Sequence, residues 1–450
     1  MLIANGSLIT GRAVDVRTVG DRIAEVGPHL TASPGEEVID LAGGTVLPGL
    51  HDHHVHLRAM AAAAHSVRVG PDTVHGREGL RDALRTATPD PTGWIRGIGY
   101  HESVAGRLDR HVLDAIEPVH PVRVQHRTGA MWFVNTPGLV RLGLRDHETG
   151  RLYRSDRALA AHTGGAAPDL ASISRQLLSH GVTGVTEATP DLTDDDVTYL
   201  QKSLVDDTLC QRLHILRAPA PVTHPRLTFG PTKRILDDDV DLSEFTDWLA
   251  AQRTAGQAVA VHCVTTFQLI VAITALQSVG AASGDRIEHA SVVPDDLLDT
   301  LVDLGVTVVT QPNFVAERGD EYLADVPADE RAGLWRLASL VRAGVPLAGS
   351  TDAPFGHHDP WAAMRAACER RTPSGAELGT AEKLTPRAAL QLFLGGPASP
   401  TVPRRVEVGA VADLCLLDAT PDQVLTELPS GSVTHTVIAG VSTPLDPAGS

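Results

Sequence analysis

Between residues 45 and 350 the sequence repeats one alternation: a short apolar run, a turn, a helical stretch, then another apolar run. The runs are 45–50 (TVLPGL), 182–187 (VTGVTE), 213–217 (LHILR), 227–229 (LTF), 257–263 (QAVAVHC), 286–289 (RIEH), 306–310 (VTVVT) and 345–350 (VPLAGS). Continuous apolar runs of this length, without strict alternation, read as strands buried on both faces. DLSEFTDWLAAQRTAG (241–256) and PDDLLDTLVDLG (294–305) carry apolar residues at helical spacing, and Gly305 stops the second. Buried strands joined mostly by helices predict an α/β fold, a (β/α)8 TIM-like barrel in preference to an open doubly wound sheet.

The ends read differently. LIANGSLIT and AVDVRTVGDRIAEVG alternate about Asn-Gly and Gly-Asp turns, and ADLCLLDA (412–419) and THTVIAGV (434–441) are β-rich. Residues 1–47 plus 405–450 are therefore expected to form one composite β-sandwich domain, with 48–404 as the barrel. One connection is far longer than the others: the insert 58–180, between strands one and two, is expected to act as a lid and substrate segment. The 38 Lys+Arg against 55 Asp+Glu give a net charge of −17, which argues against nucleic acid or an anionic membrane as partner. Four cysteines without CxxC spacing fit a reducing compartment. The start, MLIANGSLIT, lacks a basic and then apolar leader pattern, and the most apolar window (257–276) holds His262, Thr265, Thr266 and Gln268. A cytoplasmic chain with no membrane span is expected.

Chemistry is sought where a barrel carries it, at the C-terminal ends of strands. The first run ends in PGLHDHHVHL, where His54 and His56 are two residues apart and so point to one face of a strand. Two imidazoles on one face can share a metal. With 21 histidines in 450 residues such spacing arises about once by chance, so it is weak alone. His51 and His53 repeat it on the other face. Further strand ends supply the context: Lys233 in FGPTKRILDD, His262 in AVAVHC, His289 in RIEHAS and Asp352 in GSTDAP. Singly these read as a solvated lysine, core histidines and a turn aspartate. Together, in strand order, they form a constellation.

The order PG-x-x-D-x-H-x-H, then Lys, His, His and Asp, resembles the metal-dependent amidohydrolase superfamily. GYHES, HRTGAMWFVN, GDRIEHAS and GSTDAPFGHHDPWAA are similar to its amidohydrolase family 3 branch, which contains N-substituted formamide deformylase. The resemblance implies that His54, His56 and Asp352 bind one divalent metal ion and His262 and His289 a second, with Lys233 bridging them as a carbamate formed from CO2. Zinc is the expected metal, with Fe, Mn or Co as alternatives. Carbamate, Asp352 and a bridging hydroxide leave about one residual positive charge on the pair, enough to polarise a carbonyl. The implied function is a hydrolase cleaving an amide or related C–N bond of a small molecule by attack of that hydroxide, with Asp352 as general base and then acid. Catalytic roles fall to Asp352, Lys233 and His289.

In the insert, His101, Glu102, His126, Arg127 and Trp132 resemble motifs that face substrate, as do Gln311 and Asn313 after the seventh strand. Tyr100 and Asn135 lie in the same motifs, and His357 and His358 in the eighth loop. The alternative for Trp132 and Phe133 is a place in the insert's core, and for Arg127 a surface ion pair. Two other functions suit parts of the same pattern. A one-metal deaminase carries Glu three residues after the fifth-strand His, where this chain has Thr265. A non-catalytic binding or assembly protein on the same barrel typically loses several ligands, and all six positions are filled. A homodimer is expected.

Overall fold

The computed structural model describes residues 1–163 and 169–444. Residues 164–168, in the expected insert, and 445–450, at the end of the expected terminal domain, lie outside them. Five strands open the chain: β1 (Leu2–Leu8), β2 (Ala13–Val19), β3 (Arg22–Gly27), β4 (Val38–Asp40) and β5 (Thr45–Pro48). β6 (Leu50–Val55) follows after one residue and is buried throughout.

Residues 57–169 form a compact unit of their own. It holds β7 (Val67–Arg68), β8 (Ile95–Tyr100), β9 (Val122–His126), β10 (Met131–Val134) and β11 (Arg151–Tyr153). They make one sheet in the order β11-β10-β9-β8-β7, in which β7, β8 and β9 run parallel and the other pairs antiparallel. Helices Gly76–Thr86 and Arg110–Ile116 turn Leu80, Leu84, Leu113 and Ile116 into a core with Ile95, Val122, Val124 and Phe133. The insert thus has its own hydrophobic core, which is what allows a connection this long to be ordered.

The chain then alternates. β12 (Val182–Glu187), β13 (Arg212–Ile215), β14 (Leu227–Phe229), β15 (Thr232–Ile235), β16 (Val259–Cys263), β17 (Arg286–His289), β18 (Thr307–Thr310) and β19 (Leu347–Gly349) are all parallel where they pair. They lie in two arcs, β14-β13-β12-β6 and β15-β16-β17-β18-β19. The fourth expected strand is broken: β14 and β15 are one run interrupted at Gly230-Pro231, where proline cannot donate to the ladder. Backbone hydrogen bonds carry the run across the break, from Gly230 N to Ile215 O (3.0 Å) and from Lys233 N to Leu216 O (3.2 Å). β12 has no side chain at Gly184, where a Cβ would stand 2.5 Å from His51 Nδ1; the glycine makes room for that ring inside the strands. Helices Asp194–Val205, Leu242–Thr254 and Thr266–Val279 cover the parallel strands, their starts capped by Thr193, Asp241 and Thr265.

A short hairpin, β20 (Gly395–Gly396) and β21 (Ser399–Pro403), precedes the last strands, β22 (Leu414–Leu417), β23 (Val433–Ile438) and β24 (Val441–Pro444). Both termini build one eight-stranded sheet, ordered β24-β23-β22-β5-β1-β2-β3 with β4 on β1. β5 joins them, antiparallel to β22 from Thr45↔Leu417 to Pro48↔Leu414. Its core includes Ile3, Val16, Val46, Leu414, Leu416 and Val437. Arg212 of β13 pairs with the buried Asp413 beside β22 (2.5 Å), and the terminal sheet and parallel strands cluster as one compact unit. The helix Ala171–Ser179, which the sequence reading placed in the insert, belongs to that unit: Thr436 Oγ1 donates to Leu178 O (2.6 Å). Among the described residues no helix is long and apolar enough to cross a membrane.

Candidate metal centre

All six strand-end residues come together. His54 is the fifth residue of β6 and His56 lies just beyond it; Asp352 follows β19, tied to β6 by Asp352 N→His54 O (3.0 Å) and His56 N→Ala353 O (2.8 Å). Asp352 Oδ1 lies 3.2 Å from His56 Nε2 and 3.7 Å from His54 Nε2. One ligand atom from each of these three residues falls within 4.8 Å of the others, and all three residues are buried. Lys233, in β15, places Nζ 3.0 Å from His54 Nε2 and donates to Ala188 O (2.6 Å). The His289 ring is 4.9 Å from that of His54 and 4.5 Å from that of His262 at the end of β16. Asp352 (φ 56°) and His289 (φ 71°) both adopt left-handed backbone, unfavourable for residues with a Cβ. Such strain concentrates at functional sites, because the surrounding fold has to impose it.

The hydrogen bonds select what these atoms present. His54 Nδ1 is held by the Glu288 carboxylate, an acceptor, so Nδ1 carries the proton and Nε2 presents a lone pair. His56 Nδ1 is 3.0 Å from Thr189 Oγ1, a hydroxyl able to accept in the same way. His289 Nδ1 is 2.8 Å from Gln311 Oε1, and the Gln311 amide is fixed in turn by its donation to Ser350 Oγ (2.8 Å). The lone pairs of His54 and His56 then converge on Asp352 Oδ1, a buried carboxylate oxygen with no hydrogen-bond partner among the described residues. Acceptors do not gather at such distances, out of water, unless a cation lies among them. Imidazole nitrogens with one carboxylate suit zinc and its first-row neighbours, so the residues fit a divalent metal ion.

Electrostatics agree. Burial drives His54 well below the usual imidazole range, with Lys233 adding to the effect, and burial lowers His289 too. Both rings are thereby neutral and available as ligands. Burial also pulls Lys233 down to about 8, against the carboxylates of Glu288, Asp352 and Glu187. Burial raises Asp352, but the approach of His56, His289 and Lys233 outweighs that and holds it below the usual carboxylate range. Asp52, under the centre, is pushed up to about 7 by burial while Thr351 Oγ1 donates to it (2.6 Å), locking the loop that carries Asp352.

Other expected site residues fare differently. Gln311 is fully buried and orients His289 instead of facing a ligand; Asn313, 2% exposed, donates to Thr351 O (3.1 Å) and Glu317 (3.0 Å). Trp132 is 3% exposed: it packs with Trp94, Leu139, Leu152 and Leu159 and donates to Asp156 (2.9 Å), so it is a core residue of the 57–169 unit and not a substrate contact. Asn135 is likewise structural, capping the helix Thr136–Arg141. His101, Glu102 and His126 come together at the ends of β8 and β9, and Arg127 N bonds to Tyr100 O (2.8 Å) beside them. Thr265 caps the helix Thr266–Val279, with Gln268 completing the reciprocal pair, so the position where a deaminase keeps its acid does helix work here. Glu288 and Arg286 escaped the sequence reading. Arg286 donates twice to Glu288 (2.7 and 3.0 Å), which orients His54. The signal was present, since Arg286 and Glu288 are two apart in a buried strand and two buried opposite charges seldom lie so close without pairing.

Comparison with known proteins identifies relatives of the chain. The family model described as the amidohydrolase family matches residues 37–444. N-substituted formamide deformylase of Arthrobacter pascens is 25% identical over 94% of this chain and 93% of its own. An uncharacterized metal-dependent hydrolase from Pyrococcus horikoshii superposes with a TM-score of 0.76 at 20% identity, covering 95% of this chain and 98% of that one. N-isopropylammelide isopropylaminohydrolase from Burkholderia multivorans gives 0.56 at 19% identity, over 98% and 97%. The parallel α/β core is thus a TIM-like barrel, and the chain belongs to the amidohydrolase family of hydrolases.

Proposed function

We propose that this hydrolase cleaves an amide or related carbon–nitrogen bond of a small molecule at the strand-end cluster. The observation that carries the reading is the convergence of His54, His56 and the unpartnered Asp352 oxygen, buried beside Lys233. His54, His56 and Asp352 would hold one divalent metal ion and His262 and His289 a second, zinc being the best fit to this donor set. When bound, such ions supply a Lewis acid for the scissile carbonyl and bring water toward ionisation near neutral pH.

The remaining work belongs to side chains. Asp352, anchored through its backbone to His54 O, accepts a proton from the attacking water and returns it to the leaving nitrogen. Burial favours the free amine of Lys233, the form that adds CO2, and the resulting carbamate would bridge the two ligand groups. Glu288 and Gln311 keep His54 and His289 in one tautomer and one orientation, so the ligand atoms are placed before substrate arrives. The same reading takes residues 48–404 as strands closing into a (β/α)8 barrel and the terminal sheet, 1–47 plus 405–450, as a small β-sandwich.

N-substituted formamides come first as substrates, supported by the relative matched over nearly its full length. The test is a panel of N-substituted formamides, N-acyl amines, cyclic imides, carbamates and esters offered to the zinc-loaded chain, with released amine and acid quantified. Cleavage of a C–N bond in at least one class, read as released amine or, for a cyclic imide, as ring-opened acid, and lost in Asp352→Asn, is expected. Hydrolysis confined to esters, or amine release that survives in Asp352→Asn at the original rate, would overturn the proposal.

A further inference from the structure

We propose that the 57–169 unit carries a divalent-metal site of its own, formed by His101, Glu102 and His126. One nitrogen or oxygen from each of the three lies within 4.8 Å of the others, the only group besides His54, His56 and Asp352 to do so among the described residues. The backbone beneath is fixed. Tyr100, at the end of β8, pairs in register with His126, at the end of the parallel β9, and Arg127 N bonds back to Tyr100 O (2.8 Å). Tyr100 itself is fully buried, with its ring 5.7 Å from Phe133 and its hydroxyl donating to Gly106 O (2.5 Å). Two parallel strands in register therefore deliver one histidine each to the same edge, and Glu102 follows at the turn into the helix Glu102–Ala105.

Each ring is also pinned by the residue two positions on. Two residues after each histidine stands a hydroxyl: Ser103 Oγ is 2.9 Å from His101 Nδ1, and Thr128 Oγ1 is 2.8 Å from His126 Nδ1. The backbone N–H groups of Ser103 and Thr128 also donate to these Nδ1 atoms (3.3 Å each), so both rings are pinned at Nδ1 and Nε2 is the nitrogen left to carry a proton or to meet a metal ion. His126 Nε2 already faces Glu102 Oε2 at 3.1 Å, and the two imidazole rings lie 5.8 Å apart at their centres. A cation would replace the proton between imidazole and carboxylate and gain the second imidazole. Arg127, adjacent in sequence, opposes this with a positive charge, while Glu102 supplies a negative one. Two imidazoles and one carboxylate are a zinc-type donor set, and the Glu102 side chain is 45% exposed, which leaves the site open to a further ligand from solvent. From sequence these residues were expected to contact substrate; their mutual geometry is that of a chelating triad.

The experiment is zinc counting on the full chain, stripped with chelator, reloaded with Zn2+ and freed of excess, with metal per chain read by mass spectrometry. Wild type is expected to hold one zinc more than His101→Ala/His126→Ala, and His54→Ala/His56→Ala is expected to keep that extra equivalent. Glu102→Gln alters an exposed side chain and reports even if the double variant fails to fold. Competition with a chelator should show its extra zinc held at least about tenfold more weakly than in wild type. Zinc content and affinity unchanged in both triad variants would overturn the proposal, as would a raised KM with unchanged zinc, which would make the triad a substrate contact.

Discussion

At the scale of single residues, Asp352 and Lys233 bear the most consequence because each combines burial with a charge the neighbouring imidazoles respond to. Asp352→Asn keeps the shape and removes the proton acceptor; turnover by the metal-loaded variant should fall by about 10²–10⁴-fold, the range of general acid–base catalysis, with folding intact. Lys233→Ala should be nearly inactive, and near-normal kcat in either variant at full metal loading would remove the role assigned to it. Trp132 makes the opposite prediction. Its burial among Trp94, Leu139 and Leu152 means that Trp132→Ala should cost about 3–5 kcal/mol of stability, read by denaturant unfolding. A substrate contact would instead raise KM and leave stability alone. The strand-end positions of Lys233 and Asp352 were legible in the sequence because a strand end is a local feature. Trp132 was misread because its neighbours Leu152 and Leu159 are distant in sequence, and an aromatic in a motif does not announce which face it takes. Glu288 was overlooked because its partner His54 lies 234 positions away.

At the scale of elements, the parallel strands were readable from apolar runs, since a strand buried on both faces has no polar alternation to confuse it. The interruption at Gly230-Pro231 was harder: it divides one run into two short pieces, and the hydrogen bonds that bridge it come from β13 and the residue after it, not from local sequence. The extent of the insert was overestimated for a similar reason. The helix Ala171–Ser179 is amphipathic in either setting, and only its contact with β23, more than 250 positions later, assigns it to the larger unit. One element depends on a remote carboxylate. Glu382 accepts from Leu337 N (3.0 Å) and Ser339 N (2.9 Å) at the start of the helix Ala338–Ala343, where backbone donors lack helical partners. Burial raises its pKa, but these bonds and Arg336 outweigh that and hold it below the usual 4.5. A carboxylate lowered in the folded state stabilises at pH values above its unfolded pKa and loses that contribution as pH falls through the folded one. Glu382→Gln should therefore cost about 1–3 kcal/mol at pH 7, and the gap to wild type should close in acid. A gap independent of pH, measured by urea unfolding at pH 7 and pH 4, would show that the charge is not what holds the helix start.

At the scale of the whole molecule, the chain divides its labour between a unit that joins both termini to the parallel strands and a unit, 57–169, with its own sheet and core. The composite character of the first was readable because both ends showed the same β-rich texture; that β5 and β22 are the strands that zip them together was not, since many edge pairings suit such short runs. The histidine excess proved to be mixed in meaning. Four histidines converge with Lys233 and Asp352, two more form the triad at the ends of β8 and β9, and His51, His53 and His214 are buried neutral beneath the centre. The central claim is that the strand-end cluster hydrolyses a carbon–nitrogen bond only when it holds a divalent metal. The most direct measurement is amine release from an N-substituted formamide, or from whichever substrate class the panel identifies, before and after chelator treatment, with metal content followed by mass spectrometry. The account predicts that release stops in the metal-free chain and returns when zinc is restored. Undiminished release from a chain proven to be metal-free would contradict it.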